Sequence, residues 1–166
     1  MSYLMKLLAI LALFTSISVS ADEPTKAADI YERMKSLVGV WKEEGAKNSD
    51  FNISFELTAN GSTLLELWNY KGNKHSLTVY HLNGSKLMAT HYCPQGNQPR
   101  LELSSDSTIN DISFNYLDAT NLKSLDESHQ HYLAFKLSDL PNKISRSEIY
   151  LSKDGESPSK LSLVRK

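Results

Sequence analysis

The stretch FNISFELTANGSTLLELWNY, residues 51 to 70, decides the fold. Phe51, Ile53, Phe55 and Leu57 fall on every second residue, the period of a pleated strand with one buried face. Asn60-Gly61 follows, a dipeptide that tolerates positive φ and suits a tight hairpin, and STLLELWNY runs back from it. The same grammar continues downstream. Lys71-Gly72-Asn73 leads into HSLTVYHL (75–82), and Asn83-Gly84 turns that segment into KLMATHYC (86–93). PQGNQP (94–99) stops the strand, and more are expected at LELS (101–104), DISFNYL (111–117), HYLAFKLS (131–138), KISRSEIYL (143–151) and KLSLVRK (160–166). The gap DATNLKSLDESHQ (118–130) reads as a loop over one end.

Nearly every connection is short enough for an antiparallel hairpin, so the chain is a meander of about nine to ten strands. Such a sheet buries its apolar face by closing into a barrel or by packing as a two-sheet sandwich. Closure is favoured because it leaves no unpaired edge. Ahead of the strands, TKAADIYERMKSLV (25–38) carries Ile30, Met34, Leu37 and Val38 at helical spacing. The expected fold is all-β: a single antiparallel up-and-down barrel preceded by one short N-terminal helix.

The chain opens MSYLMK, then LLAILALF (7–14), then TSISVSA with Val19 and Ala21 ahead of a cleavage point, which is the pattern of a secretory signal peptide over residues 1–21. The run is shorter than the roughly 20 apolar residues that span a bilayer. The expected organisation is therefore signal peptide 1–21, helical segment 22–38 and barrel domain 39–166, with export to the periplasm or the extracellular space. Lys6 leaves with the leader, so 17 basic side chains face 19 acidic ones, a charge of −2. That balance gives no reason to expect nucleic acid or an anionic membrane as partner, and a monomer is expected. Cys93 is the only cysteine, so in an oxidising compartment it is buried, reactive or joined to another molecule.

Two separated motifs connect the ends of the chain. LVGVW (37–41) places Gly39 and Trp41 where helix gives way to strand, and LSLVRK places Arg165 on the last strand. This resembles the lipocalin, or calycin, pattern, in which a tryptophan at the barrel end packs under a basic side chain of the final strand. The blocks GSTLLELW, TVYHLNGSKLMATHYC and GNQPR, with FNYLDATNL, His129, His131 and IYLSKDG…LSLVR, resemble an uncharacterised family of exported bacterial proteins with a lipocalin-like domain. The resemblance covers roughly residues 37 to 165. It implies a barrel and export, and it brings no activity.

The candidate site residues cluster around THYCPQGNQPR (90–100). Alternation puts His91 and Cys93 on one strand face and Tyr92 on the other, both faces being partly apolar, so either can point inward. On STLLELWNY, Glu66 and Trp68 share a face with Leu64, and an inward Glu66 needs a partner, for which Arg100 and the histidines are candidates. A binding reading places Glu66, Trp68, Tyr80, His91, Tyr92, Cys93, Asn97, Gln98 and Arg100 about a hollow for a small hydrophobic or amphipathic molecule, with Arg100 able to grip a carboxylate or phosphate. On the alternative reading, Asn97 and Gln98 satisfy their own loop and Arg100 pairs with Glu66 or Glu102. A metal reading joins His91, Cys93, His129 and His131 as transition-metal ligands; no other cofactor is expected. A third reading is an envelope domain with a packed core and no ligand. No nucleophile elbow, HExxH helix or phosphate loop occurs, so no catalytic residue is assigned.

Overall fold

In the computed structural model, residues 25–47 and 49–166 are described; the leader expected over 1–21 lies outside them. Helix α1 (Lys26–Lys35) is followed by ten strands: β1 (Gly39–Glu43), β2 (Phe51–Thr58), β3 (Thr63–Tyr70), β4 (Asn73–Asn83), β5 (Lys86–Tyr92), β6 (Gln98–Leu103), β7 (Asp111–Thr120), β8 (His129–Lys136), β9 (Lys143–Ser152) and β10 (Gly155–Arg165). Each strand pairs antiparallel with its sequence neighbour, and β1 pairs with β10. The sheet is thus a closed ten-stranded up-and-down barrel. Among the described residues no helix is long and apolar enough to cross a membrane.

Helix α1 begins at Thr25, whose side chain accepts the Ala28 amide at 3.2 Å, the usual polar cap for an orphan N–H. Its buried face is Ala27, Ile30, Tyr31 and Met34, and Leu37 continues it beyond the last turn. This face plugs one end of the barrel. Tyr31 donates to the Gly61 carbonyl and Arg33 to the Leu137 carbonyl, tying the plug to two interstrand turns.

The seal is completed by Gly39, Trp41 and Arg165. Trp41 is fully buried and donates its indole N–H to the Leu37 carbonyl at 2.7 Å. The Arg165 guanidinium lies 4.5 Å from the centre of that indole and donates to the carbonyls of Val38 (2.7 Å), Ser36 (2.9 Å) and Pro141 (3.0 Å). Gly39 makes room for it. Its φ of +131° belongs to glycine, and a Cβ there would come within 2.6 Å of Arg165 Nη1.

Several connections differ from the sequence reading. Asn60-Gly61 is not a two-residue hairpin: the last pair is Thr58 with Thr63, and Ala59, Asn60 and Gly61 all have positive φ in a left-handed turn. The two-residue turn after β3 is Lys71-Gly72, both left-handed. The long gap is shorter than its composition suggests, because β7 runs on to Thr120 and β8 starts at His129. β10 begins at Gly155, five residues before KLSLVRK, since polar residues such as Ser157 and Ser159 still pair with β9.

Candidate functional site

An eight-stranded barrel is just filled by its own side chains, and ten strands leave more width. How the width is used depends on distance from α1. Along β3 the buried face passes from Leu64 to Glu66 and Trp68; along β5 from Leu87 to Ala89 and His91; along β9 from Ile144 to Arg146, Glu148 and Tyr150. The half under the helix is apolar, with Phe55, Phe114 and Phe135 at 1% exposure or less. Towards the open end the lining becomes polar, and there a connected network forms.

Glu66 lies at its centre, fully buried. Trp68 Nε1 donates to Oε1 at 2.7 Å, Arg146 Nε to the same oxygen at 2.6 Å, and Tyr80 OH to Oε2 at 2.5 Å. Three convergent donors are what a buried carboxylate anion needs to replace its lost hydration. Arg146, 1% exposed, also contacts Glu148 through Nη1 at 3.0 Å. Its guanidinium stacks 4.7 Å from the Trp68 ring centre and 5.9 Å from that of Phe135. Burial works against the Arg146 charge, but Glu66 and Glu148 outweigh it and hold the guanidinium protonated. Burial likewise pushes the Glu148 carboxyl up, and attraction and hydrogen bonding from Arg146, with a bond from Gln130, bring it below the usual range. Glu148 Oε2 accepts Gln130 Nε2 at 2.8 Å, and Oε1 accepts the Ser159 hydroxyl at 3.2 Å.

His91 extends the network to the rim. Its Nδ1 is 2.9 Å from Thr78 Oγ1, its register partner on β4, and its Nε2 is 3.0 Å from Tyr150 OH. Burial first, and Arg146 second, lower its pKa to about 4, so the ring is neutral at pH 7. Burial together with the Glu148 charge pushes the Tyr150 phenol up, keeping it protonated. Cys93 Sγ lies 4.0 Å from Tyr150 OH, and Cys93 is a half-buried free thiol.

Two hollows open above this floor. One, about 150 Å³, is bounded by Trp68, Ser76, His91, Pro94, Glu148 and Tyr150 together with His75. The other, about 190 Å³, is walled by Phe51, Trp68, Asn69, Tyr70 and His75. They adjoin, for Trp68 and His75 belong to both. Larger depressions of about 550 Å³ beside α1 and about 460 Å³ between the 95–97 and 121–128 segments are surface grooves away from the interior network.

The residues singled out from the sequence divide sharply. Glu66, Trp68, Tyr80 and His91 come together inside the barrel, with Cys93 at its rim. Tyr92 points outward, opposite Leu77, and is 48% exposed. Arg100 is also on the outer face, where Nε and Nη2 make a forked ion pair with Asp118, its register partner on β7. It therefore reaches neither Glu66 nor any interior ligand. Asn97 donates to the Ser128 carbonyl at 3.0 Å, across to the β7–β8 connection, and Gln98 to the Gly96 carbonyl at 2.8 Å within its own loop, and neither amide bounds either hollow. His129 and His131 meet each other, Nε2 to Nδ1 at 3.3 Å, against the Tyr116 ring. Among the described residues no group of three or more His, Cys, Asp or Glu side chains is placed to hold a metal ion. His91, Cys93, His129 and His131 do not make one donor set.

Arg146, Glu148, Gln130 and Tyr150 are site residues that the sequence reading passed over. The signal was present in KISRSEIYL, where alternation aligns Arg146, Glu148 and Tyr150 with the core residue Ile144. It was masked because Ile149 and Leu151 on the opposite face are apolar too. Gln130 had no such signal: a β-bulge between Gln130 and Tyr132 resets the register and lets it bond Glu148.

Fold and interior together define a closed, helix-plugged antiparallel β-barrel of lipocalin-like form with a polar floor under an open mouth. No protein-family model matches the chain, and no curated protein matches it in sequence.

Proposed function

We propose that this is an exported binding protein that takes a small hydrophobic or amphipathic molecule into the open end of its barrel. The observation that carries the reading is the pair of adjoining hollows, of about 190 and 150 Å³, walled by Phe51, Trp68, Tyr70 and Tyr150 above the Glu66–Arg146–Glu148 network. Together they fall near the lower end of the roughly 300–1,000 Å³ range of ligand pockets. Aromatic walls supply apolar contact at little entropic cost, while a few fixed polar groups orient one end of the guest. A domain built only for structure gains little from placing a carboxylate–guanidinium network under an open mouth, since well-packed apolar residues commonly stabilise a core at least as well.

Native mass spectrometry of protein purified without detergent, coupled to titration monitored by tryptophan emission, tests the reading. A small-molecule adduct, or saturable quenching by an aromatic amphiphile, is expected. A bare mass together with no response to any amphiphile would reject it in favour of the packed, ligand-free alternative.

A further inference from the structure

We propose that the hollow selects a guest whose polar end is a hydrogen-bond donor, an ammonium above all, seated against Glu148, and that it discriminates against carboxylates. The inference rests on the barrel being a ligand cup and adds the chemistry of the guest.

The charges on the wall carry the argument. Among the described residues, Glu148 is the one Asp or Glu bounding either hollow, and neither wall includes a lysine or arginine. Glu148 is 9% exposed, so its charge is poorly screened by water. Its Oε2 is taken by Arg146 and Gln130, whereas Oε1 accepts a single bond, from Ser159 at 3.2 Å. A carboxylate has about four acceptor sites, which leaves Oε1 capacity for a donor arriving from the mouth.

Behind the wall Glu66 and Arg146 pair and their formal charges cancel, so with His91 neutral beside it Glu148 sets the sign of the site. Arg146 Nη2 is the feature that would draw an anion, since it has no hydrogen-bond partner among the described residues. It is fully buried, however, with its guanidinium packed against the rings of Trp68 and Phe135, and it does not bound the hollow. The aromatic faces agree. Trp68 and Tyr150 bound the hollow, and any aromatic face that a guest reaches attracts a cation and repels an anion. A carboxylate entering this hollow would meet Glu148 with no lysine or arginine on the wall to offset it.

Calorimetric titration of the chain from residue 22 onward at pH 7 with three probes of one body tests the inference: 2-phenylethylamine, 2-phenylethanol and phenylacetate, each against wild type and Glu148→Gln. The expected order is amine, then alcohol, then carboxylate, with the amine about tenfold tighter than the alcohol, as a charge-assisted bond to a buried carboxylate allows. In Glu148→Gln the advantage of amine over alcohol falls to about twofold, the amine losing more affinity than the alcohol. Phenylacetate binding as tightly as the amine would overturn the charge selectivity and leave the cup intact. An undiminished amine advantage in Glu148→Gln would overturn Glu148 as the seat. If none of the three binds, the cup and the inference fall together. The ranking in wild type decides the selectivity even where the variant does not fold.

Discussion

Replacing Arg146 with methionine is the most informative single perturbation of the interior. Methionine keeps much of the aliphatic stem, so the change fills part of the volume while removing the guanidinium and its stack on Trp68 and Phe135. What remains is Glu66, fully buried, and Glu148, 9% exposed, without the cation that contacts them at 2.6 and 3.0 Å. Breaking a buried ion pair from one side costs about 3–5 kcal/mol, because the abandoned charge stays desolvated. Loss of the stack on Trp68 adds roughly 1 kcal/mol. A cost of about 4–6 kcal/mol is expected in urea unfolding at pH 7, followed by tryptophan emission, with an unchanged dependence on denaturant. The triple variant Glu66→Gln/Arg146→Met/Glu148→Gln removes all three charges and recovers at least half of that loss. The gap between Arg146→Met and wild type also narrows on acidification, since Arg146 holds the Glu148 carboxyl below its usual range in the wild type and that contribution is lost as the pH falls. A cost below about 1 kcal/mol for Arg146→Met, or a triple variant as unstable as the summed single changes, would refute the claim that these charges hold one another in place.

His91 sets a pH dependence of definite sign. Its folded pKa of about 4 lies below the ordinary 6.5, so its contribution is complete above pH 6.5 and is lost as pH falls towards 4. Through that window the unfolded chain binds a proton that the barrel refuses, and stability drops by about 3 kcal/mol. His91→Gln should flatten this slope, as measured by urea unfolding at half-unit steps of pH. Gly39→Ala forces a Cβ against Arg165 Nη1 and strains a backbone at φ +131°, so about 2–3 kcal/mol of stability should be lost in the same assay. Arg165→Lys should restore only part of what Arg165→Ala removes, because one ammonium cannot reach the carbonyls of Ser36, Val38 and Pro141 while stacking on Trp41. Arg100→Ala should leave amphiphile titrations unchanged, its partner Asp118 being on the outer face.

The barrel was legible because its strands obey a strict period of two and its turns carry glycine and asparagine where the chain reverses. The seal was legible for a different reason. Gly39, Trp41 and Arg165 lie at opposite ends of the sequence, and only closure makes Trp41 and Arg165 register partners. The site was read in part. Glu66 and Trp68 sit on an alternating face anchored by Leu64, but strand β5 has apolar residues on both faces, so nothing in the sequence separated His91 from Tyr92. The counter-ion of Glu66 was sought among residues near the conspicuous loop. It came instead from Arg146, eighty residues away along the chain and adjacent only once the barrel closes. Arg100 drew attention as an arginine beside a turn, yet it alternates with the buried Pro99 and Leu101 on β6 and so points outward.

Backbone amide and tryptophan indole chemical-shift mapping, during titration of the ¹⁵N-labelled chain from residue 22 onward with 2-phenylethylamine, tests the central claim most directly. Saturable shifts should gather at the Trp68 indole, Ser76, His91, Cys93 and Tyr150, while the Trp41 indole and the residues of α1 hold still. Shifts centred on the groove between Tyr31 and Gly61, or no shifts at all near the open end, would contradict it.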